Sequence, residues 1–177
     1  IPDFRASVSR YMSALYDQEL GPERFLCTIG GMHALQIAMR MALTTGDEIL
    51  VPSPAWPNFV GCAKVVGAVP VMVPMALTDG PNGRWLLDTD RLASAITPKT
   101  KAIIINSPHN PTGTVMSDEE MLQLQEILRN TKIFLISDEV YEHLTYDGLE
   151  HNSALKYPEL FERSFVCFSF GKVYNCT

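Results

Sequence analysis

The stretch Ala102-Ile103-Ile104-Ile105-Asn106-Ser107-Pro108-His109-Asn110-Pro111-Thr112-Gly113 sets an unbroken apolar run directly against a loop stiffened by prolines and a glycine. Such a run, with no polar alternation, reads as a strand buried on both faces, as in a parallel sheet covered by helices. Ile133–Ser137 repeats the pattern and runs into Asp138-Glu139-Val140-Tyr141. Outward from these two, Phe25–Ile29, Glu48–Val51, Val69–Pro74 and Phe165–Phe170 read as further strands.

Helical periodicity fills the intervals. Phe4–Glu19 places Val8, Tyr11, Met12, Leu15 and Tyr16 at helical spacing, and Gly31–Thr44 is rich in Ala, Met and Leu. Trp56–Val66 reads as a helix interrupted by Pro57 and Gly61. Asp88–Ile96 opens on a residue able to cap it. Ser117–Asn130 opens Ser117-Asp118-Glu119-Glu120, where Ser117 and Glu120 can satisfy free N–H groups reciprocally. Strands alternating with helices predict an α/β fold of three layers, a mostly parallel sheet between helices.

Composition bounds the function. The chain has 177 residues, 46% hydrophobic and 19% charged, which suits one domain or a large piece of one. A net charge of -6 argues against a nucleic-acid partner, which needs a basic face. No apolar run approaches the roughly 18 residues of a membrane span. Cys27, Cys62, Cys167 and Cys176 form no CxxC pair and read as buried thiols of a reducing, cytoplasmic compartment. His33, His109, His143 and His151 make no zinc spacing, so no metal is expected. The chain opens on Ile1-Pro2 with no initiator Met, which reads as a fragment or a processed chain.

In open α/β sheets ligands bind beyond the carboxyl ends of the strands. Gly30-Gly31-Met32 turns tightly into a helix N-terminus, which is either an anion site or a packing turn. Trp56, in a loop held by Pro54 and Pro57, can offer a flat face or simply cover the core edge. Asn110, before Pro111, can aim its amide into a site or bond its own turn. Asp138, after an apolar strand, needs a partner, either an N-terminal turn or a cationic nitrogen of a ligand. Tyr141 lies on the same turn. Lys172, after Ser169-Phe170-Gly171, is a candidate for a desolvated amine able to form a Schiff base, against the plain alternative of a loop lysine.

In this order and on these strand ends, the residues resemble the class I/II aminotransferases, pyridoxal-phosphate (PLP) enzymes similar to aspartate aminotransferase. The resemblance covers nearly the whole chain and is most specific at Asn110-Pro111-Thr112-Gly113, Ser137-Asp138-Glu139-Val140-Tyr141 and Ser169-Phe170-Gly171-Lys172. It implies that Lys172 carries PLP covalently and shuttles the substrate proton, while Asp138 pairs with the pyridinium nitrogen. It implies further that Asn110 and Tyr141 hydrogen-bond the ring oxygen O3′ and that Trp56 stacks on the ring. The amides of Gly31 and Met32 and the Ser169 hydroxyl then hold the phosphate. The implied substrates are an amino acid and a 2-oxo acid, and the implied assembly is a homodimer.

The resemblance also sets an expectation about extent. Ile1-Pro2-Asp3-Phe4-Arg5 matches a motif that follows an N-terminal segment, and at Thr177 the family continues into a phosphate-binding Gly-x-Arg. Residues 1–177 are thus expected to be part of the large domain, without the N-terminal segment, the last sheet strand and the small domain that clamps the substrate carboxylate. Such a piece, taken alone, is expected to be poorly stable or prone to associate, and inactive. A β C–S lyase of the same fold, an aminotransferase-like effector domain of a transcription regulator and an inactive truncated paralogue share these residues and stay open at this point.

Overall fold

The computed structural model describes residues 2–80 and 83–176. Ile1 of the opening motif lies outside the described residues. The strands are β1 (Glu48–Ser53), β2 (Val69–Pro74), the short β3 (Ala76–Leu77) and β4 (Trp85–Leu86), β5 (Thr100–Asn106), β6 (Phe134–Asp138) and β7 (Ser164–Cys167). The helices are α1 (Pro2–Tyr16), α2 (Gly31–Ala42), α3 (Asn58–Val65), α4 (Thr89–Ser94), α5 (Asp118–Leu128) and the single turns α6 (Pro158–Phe161) and α7 (Phe170–Val173). One sheet, ordered β2-β1-β5-β6-β7, is parallel throughout, and β3 pairs with β4 antiparallel beside it.

The continuous apolar runs are continuous because both faces of the sheet are covered. On β1, β5 and β6 the residues Ile49, Val51, Ala102, Ile104 and Ile136 pack with Leu35, Met39, Phe59 and Cys62 of α2 and α3. Their neighbours Leu50, Ile103, Ile105 and Leu135 pack on the opposite face with Leu92, Met121, Leu124 and Leu160. Successive side chains alternate between faces with period two, so one strand feeds two cores and the architecture has three layers. Truncating Ile103 or Ile104, at 0% and 1% exposure, to Ala costs about 2–5 kcal/mol through the cavity left behind. The helix starts follow their sequence signals. The Asp88 carboxylate accepts from Arg91 N–H, and Ser117 and Glu120 form the reciprocal capping pair.

The topology creates the crevice. From β1 the chain crosses through α3 to β2 on one side, whereas from β5 it crosses through α5 to β6 on the other. The strands β1 and β5 are adjacent, so the loops leaving their carboxyl ends diverge to opposite faces and leave an opening between them. Trp56 stands in the first of these loops and Asn110 in the second.

Three expectations are corrected. Phe25–Ile29 forms no ladder among the described residues. Phe25 is extended and packs against the cluster of Met12, Tyr16, Leu20 and Leu155, but Leu26 and Ile29 are 69% and 90% exposed. Apolar β-branched composition favours a sheet, yet a strand exists only where a neighbour's N–H and C=O groups meet it. The last strand ends at Cys167 rather than Phe170, and Phe170 opens α7. Cys62 and Cys167 are buried free thiols as expected, whereas Cys27 and Cys176 are free but exposed.

Candidate active site

Asp138 is the last residue of β6 and is 3% exposed. Ile136, two residues earlier, faces α2, so Asp138 points to the same side. Its Oδ1 accepts the Val140 N–H at 3.3 Å, and among the described residues no cation forms an ion pair with it. Burial pushes its carboxyl up to about 7; the Val140 N–H opposes the rise, Glu139 adds to it and the Lys172 ammonium opposes it. A carboxyl held this way is short of a cation, and a protonated ring nitrogen is a group of the right kind to supply one.

Asn110 sits in the loop after β5, half-buried, and its backbone N–H donates to Asn106 Oδ1 at 2.7 Å. The loop is closed by two further backbone bonds. His109 N–H donates to Thr114 O at 2.8 Å, and Gly113 N–H donates to His109 O at 2.7 Å, with Gly113 at φ +74° as the one residue type suited to that turn. The Ser53–Pro54, Ser107–Pro108 and Asn110–Pro111 bonds are cis. Tyr141 lies on the turn that follows Asp138, half-buried, and its carbonyl accepts the Leu144 N–H at 2.7 Å. Trp56 is half-buried against the α2 core and meets Phe59 edge-on at 5.5 Å, so it covers the core edge at the rim of the crevice.

The N-terminus of α2 arrives beside the Asp138 turn. A Cβ on Gly31 would stand 3.2 Å from Val140 Cγ1, and α2 packs on β6 and β7. Gly30 caps the helix at φ +78° without a side chain, leaving the amides of Gly31 and the exposed Met32 with no carbonyl in their own helix. Twelve residues of helix stand behind those amides, and their dipole favours an anion there.

Ser169 is the N-cap of α7, and its carbonyl accepts the N–H groups of Lys172 and Val173, while its hydroxyl makes no capping bond. Lys172 is exposed within the described chain, so the desolvated amine expected from the sequence is not what this chain alone provides. The reason is geometric: the strand ends at Cys167 and Lys172 stands on the turn beyond it, past the sheet's cover. That turn is anchored from α1, where Phe4 meets Phe170 edge-on at 5.9 Å and Tyr11 Oη and Tyr174 Oη share a hydrogen bond of 2.9 Å. Among the other lysines, Lys101 lies on β5, and its ammonium is turned away onto the Pro98 carbonyl.

Four polar residues here escaped the reading of the sequence. Asn106 is buried at the end of β5, with an amide that reaches both Asn110 and Asp138. Glu139 and His151 are buried together on the far face of the sheet. His109 is buried with the Pro54 carbonyl against its ring, so that burial holds its pKa down while that carbonyl opposes the drop. Its Nδ1 meets Thr112 Oγ1 at 2.7 Å. For Asn106, His109 and Glu139 the only sequence signal was a polar residue at or just after the end of an apolar run, and His151, in an irregular polar stretch, carried none.

The fold and the position of its polar residues are those of the doubly wound α/β enzymes, which carry their chemistry at the carboxyl edge of the sheet. All of residues 1–177 match the family described as aminotransferase class I and II, and the chain belongs to that family, whose members generally depend on PLP. It is 37% identical over 169 residues to a "Probable N-succinyldiaminopimelate aminotransferase" of Mycobacterium tuberculosis, covering 95% of this chain and 41% of that protein. It is 36% identical over 159 residues to a "Probable aspartate/prephenate aminotransferase" of Thermus aquaticus, covering 90% and 40%. The solved N-succinyldiaminopimelate aminotransferase of M. tuberculosis superposes with a TM-score of 0.89 at 34% identity over 95% of this chain and 43% of that one. The chain thus spans about 40% of the length of the curated relatives it matches.

Proposed function

We propose that this chain is the cofactor-binding part of a PLP-dependent aminotransferase, moving an amino group between an amino acid and a 2-oxo acid. The observation that carries the proposal is Asp138: a carboxyl buried on the α2 side of the sheet, lacking a cation, between the Asn110 loop and the start of α2. When bound, PLP supplies an electron sink for the pair left at Cα as its proton departs. The residues of the chain do the rest. Asp138 holds a proton on the ring nitrogen, and the low-dielectric surroundings that raise its own pKa strengthen that pairing. The Asn110 amide and the Tyr141 hydroxyl donate to O3′, and Trp56 covers a ring face. The Gly31 and Met32 amides and the Ser169 hydroxyl would hold the phosphate. The Lys172 amine would hold the cofactor and carry the substrate proton, a role that requires it to be less exposed than it is in this chain alone.

The large-domain assignment, the homodimer and a cytoplasmic location belong to the same proposal. They rest on the family and, for the location, on four cysteines that are all free thiols. The relatives differ in named substrates, N-succinyldiaminopimelate in one and aspartate or prephenate in another. The amino acid and oxo acid used here therefore stay at class level. The test takes the longest reading frame that contains the chain, loads it with PLP and mixes it with single amino acids. Conversion of the cofactor to its amino form, with release of a 2-oxo acid, supports the proposal. Pyruvate release without that conversion replaces it with β-elimination, and no spectral response to any amino acid refutes it.

A further inference from the structure

Asn106 and Asp138 are register partners at the carboxyl ends of β5 and β6. Asn106 is 7% exposed, and both ends of its amide are used. Nδ2 donates to the Asp138 carbonyl at 2.8 Å, and Oδ1 accepts the Asn110 backbone N–H at 2.7 Å. The orientation of the amide is fixed by its partners, because a carbonyl only accepts and a backbone N–H only donates. The two bonds differ in redundancy. The Asp138 carbonyl also accepts the Ser107 N–H at 3.2 Å, so β6 keeps a second tie to β5. Among the described residues, the Asn110 N–H has Asn106 Oδ1 as its acceptor.

We infer that Asn106 is a positioning residue for the cofactor ring: its buried amide sets the Asn110 donor at a fixed offset from the Asp138 carboxylate. The inference rests on the proposed roles of Asn110 and Asp138. One side chain thereby spaces the group at O3′, in the loop after β5, from the group at the ring nitrogen, at the end of β6. Without the amide the Asp138 carbonyl keeps the Ser107 N–H while the Asn110 N–H loses its acceptor, so Asn110 shifts first, within a loop still closed by the His109–Thr114 and Gly113–His109 bonds. The consequence falls on O3′ and spares the ring nitrogen. Donors to O3′ favour negative charge on that oxygen, and so hold down the pH midpoint at which the bound cofactor changes absorbance.

The experiment titrates the absorbance of the PLP-loaded protein in three variants. Asn110→Ala is expected to raise the midpoint. Asn106→Ala is expected to raise it by about one pH unit and to weaken PLP binding about tenfold, the loss of one hydrogen bond to a buried group. Ser107→Ala is the control. It removes the acceptor of the Met116 N–H in the same loop, a bond of 3.0 Å, without touching Asn110. It is expected to lower stability and leave the midpoint in place. If Asn106→Ala moves the midpoint no further than Ser107→Ala while Asn110→Ala moves it, the inference falls and the proposed function stands. If Asn110→Ala leaves it in place, the role of Asn110 falls and the inference with it. Amide hydrogen exchange on the unsubstituted, cofactor-free protein, in the longest reading frame that contains the chain, needs no variant to fold. The Asn110 N–H is expected to exchange at least tenfold more slowly than unbonded loop amides, and exchange at their rate overturns the inference.

Discussion

Asp138 and Glu139 are consecutive carboxyl groups, both at most 3% exposed, that leave the end of β6 for opposite faces of the sheet. Asp138 follows Ile136 to the α2 side, where it has one backbone bond. Glu139 follows Ser137 to the other side, where three donors meet it: Ser137 Oγ at 2.7 Å, His151 Nε2 at 2.8 Å and Ala154 N–H at 3.0 Å. The pleat separates a group that still needs a ligand from one that is already satisfied. The period of the strand alone sends one carboxyl to the side of the candidate site and the other into a hydrogen-bonded cluster.

The first prediction follows from the raised pKa of Asp138. Its folded-state value lies above its unfolded one, so the folded state binds more protons, and stability falls as pH rises through the window from about 4 to about 7. A rise from the ordinary 3.8 to about 7 is about three pH units at about 1.4 kcal/mol each, hence up to about 4 kcal/mol. Asp138→Asn, neutral at every pH, is expected to match the cofactor-free parent near pH 4 and to exceed its stability above pH 7. Urea unfolding at the two pH values checks this. Equal stability at both, or a less stable Asn variant at high pH, contradicts it. The same substitution is expected to cost several powers of ten in the amino-transfer half-reaction, since the ring nitrogen loses the charge that keeps it protonated.

Glu139 is predicted to behave in the opposite way. Glu139→Ala strands the Ser137 hydroxyl, the Ala154 N–H and the His151 ring in the interior, where each is left without its partner. The expected loss is about 3–5 kcal/mol in urea unfolding. In the fraction that folds, PLP absorbance is expected to be unchanged. A loss below about 1 kcal/mol, or a spectral change in the folded fraction, would place Glu139 in the site instead.

The sequence carried the fold where burial on two faces forced uniform apolar runs: β2 spans Val69–Pro74 as read, and β5 and β6 begin within two residues of the readings. It misled at Phe25–Ile29, because composition records an affinity for a sheet and says nothing of whether a neighbour is there to pair. The β3–β4 pair, two residues on each strand, is too short for any period to register. In the candidate site, the sequence singled out Asn110, Asp138 and Lys172 because each stands at or shortly after the carboxyl end of an apolar run. Asn106 was read as the end of β5, since a buried Asn in a strand shows its purpose only when both of its partners, one of them 32 residues away, are in view. The exposure of Lys172 could not be read at all, because it depends on what covers the turn beyond β7.

A prediction about association follows from two bare surfaces. Among the described residues β7 pairs with β6 along one edge only, and Leu26 and Ile29 expose most of their surface. An unpaired edge and exposed apolar residues each recruit other chains. The isolated chain is expected to show concentration-dependent association in light scattering, and the double substitution Leu26→Glu with Ile29→Glu is expected to reduce it. A chain that stays monomeric at every concentration tested counts against this account.

Lys172 is predicted to be the residue that PLP labels. It is one of six lysines, and the others are set apart by position: Lys64 on α3, Lys99 and Lys132 in connections, Lys101 on β5 and Lys156 on a single turn. Lys172 stands one turn past the end of β7, and its charge is felt at the Asp138 carboxyl. The turn is held by Phe4 and Tyr11 of α1, which fixes where its backbone sits even though the ammonium itself is exposed. Borohydride adds hydride across a C=N bond and converts a reversible attachment into a stable secondary amine. After reduction of the PLP-loaded protein, peptide mapping is expected to place the pyridoxyl group on Lys172. Lys172→Ala is expected to abolish the label while cofactor-free stability changes by less than about 0.5 kcal/mol, as suits an exposed residue. A pyridoxyl group on any other lysine, or labelling that survives Lys172→Ala, overturns the assignment.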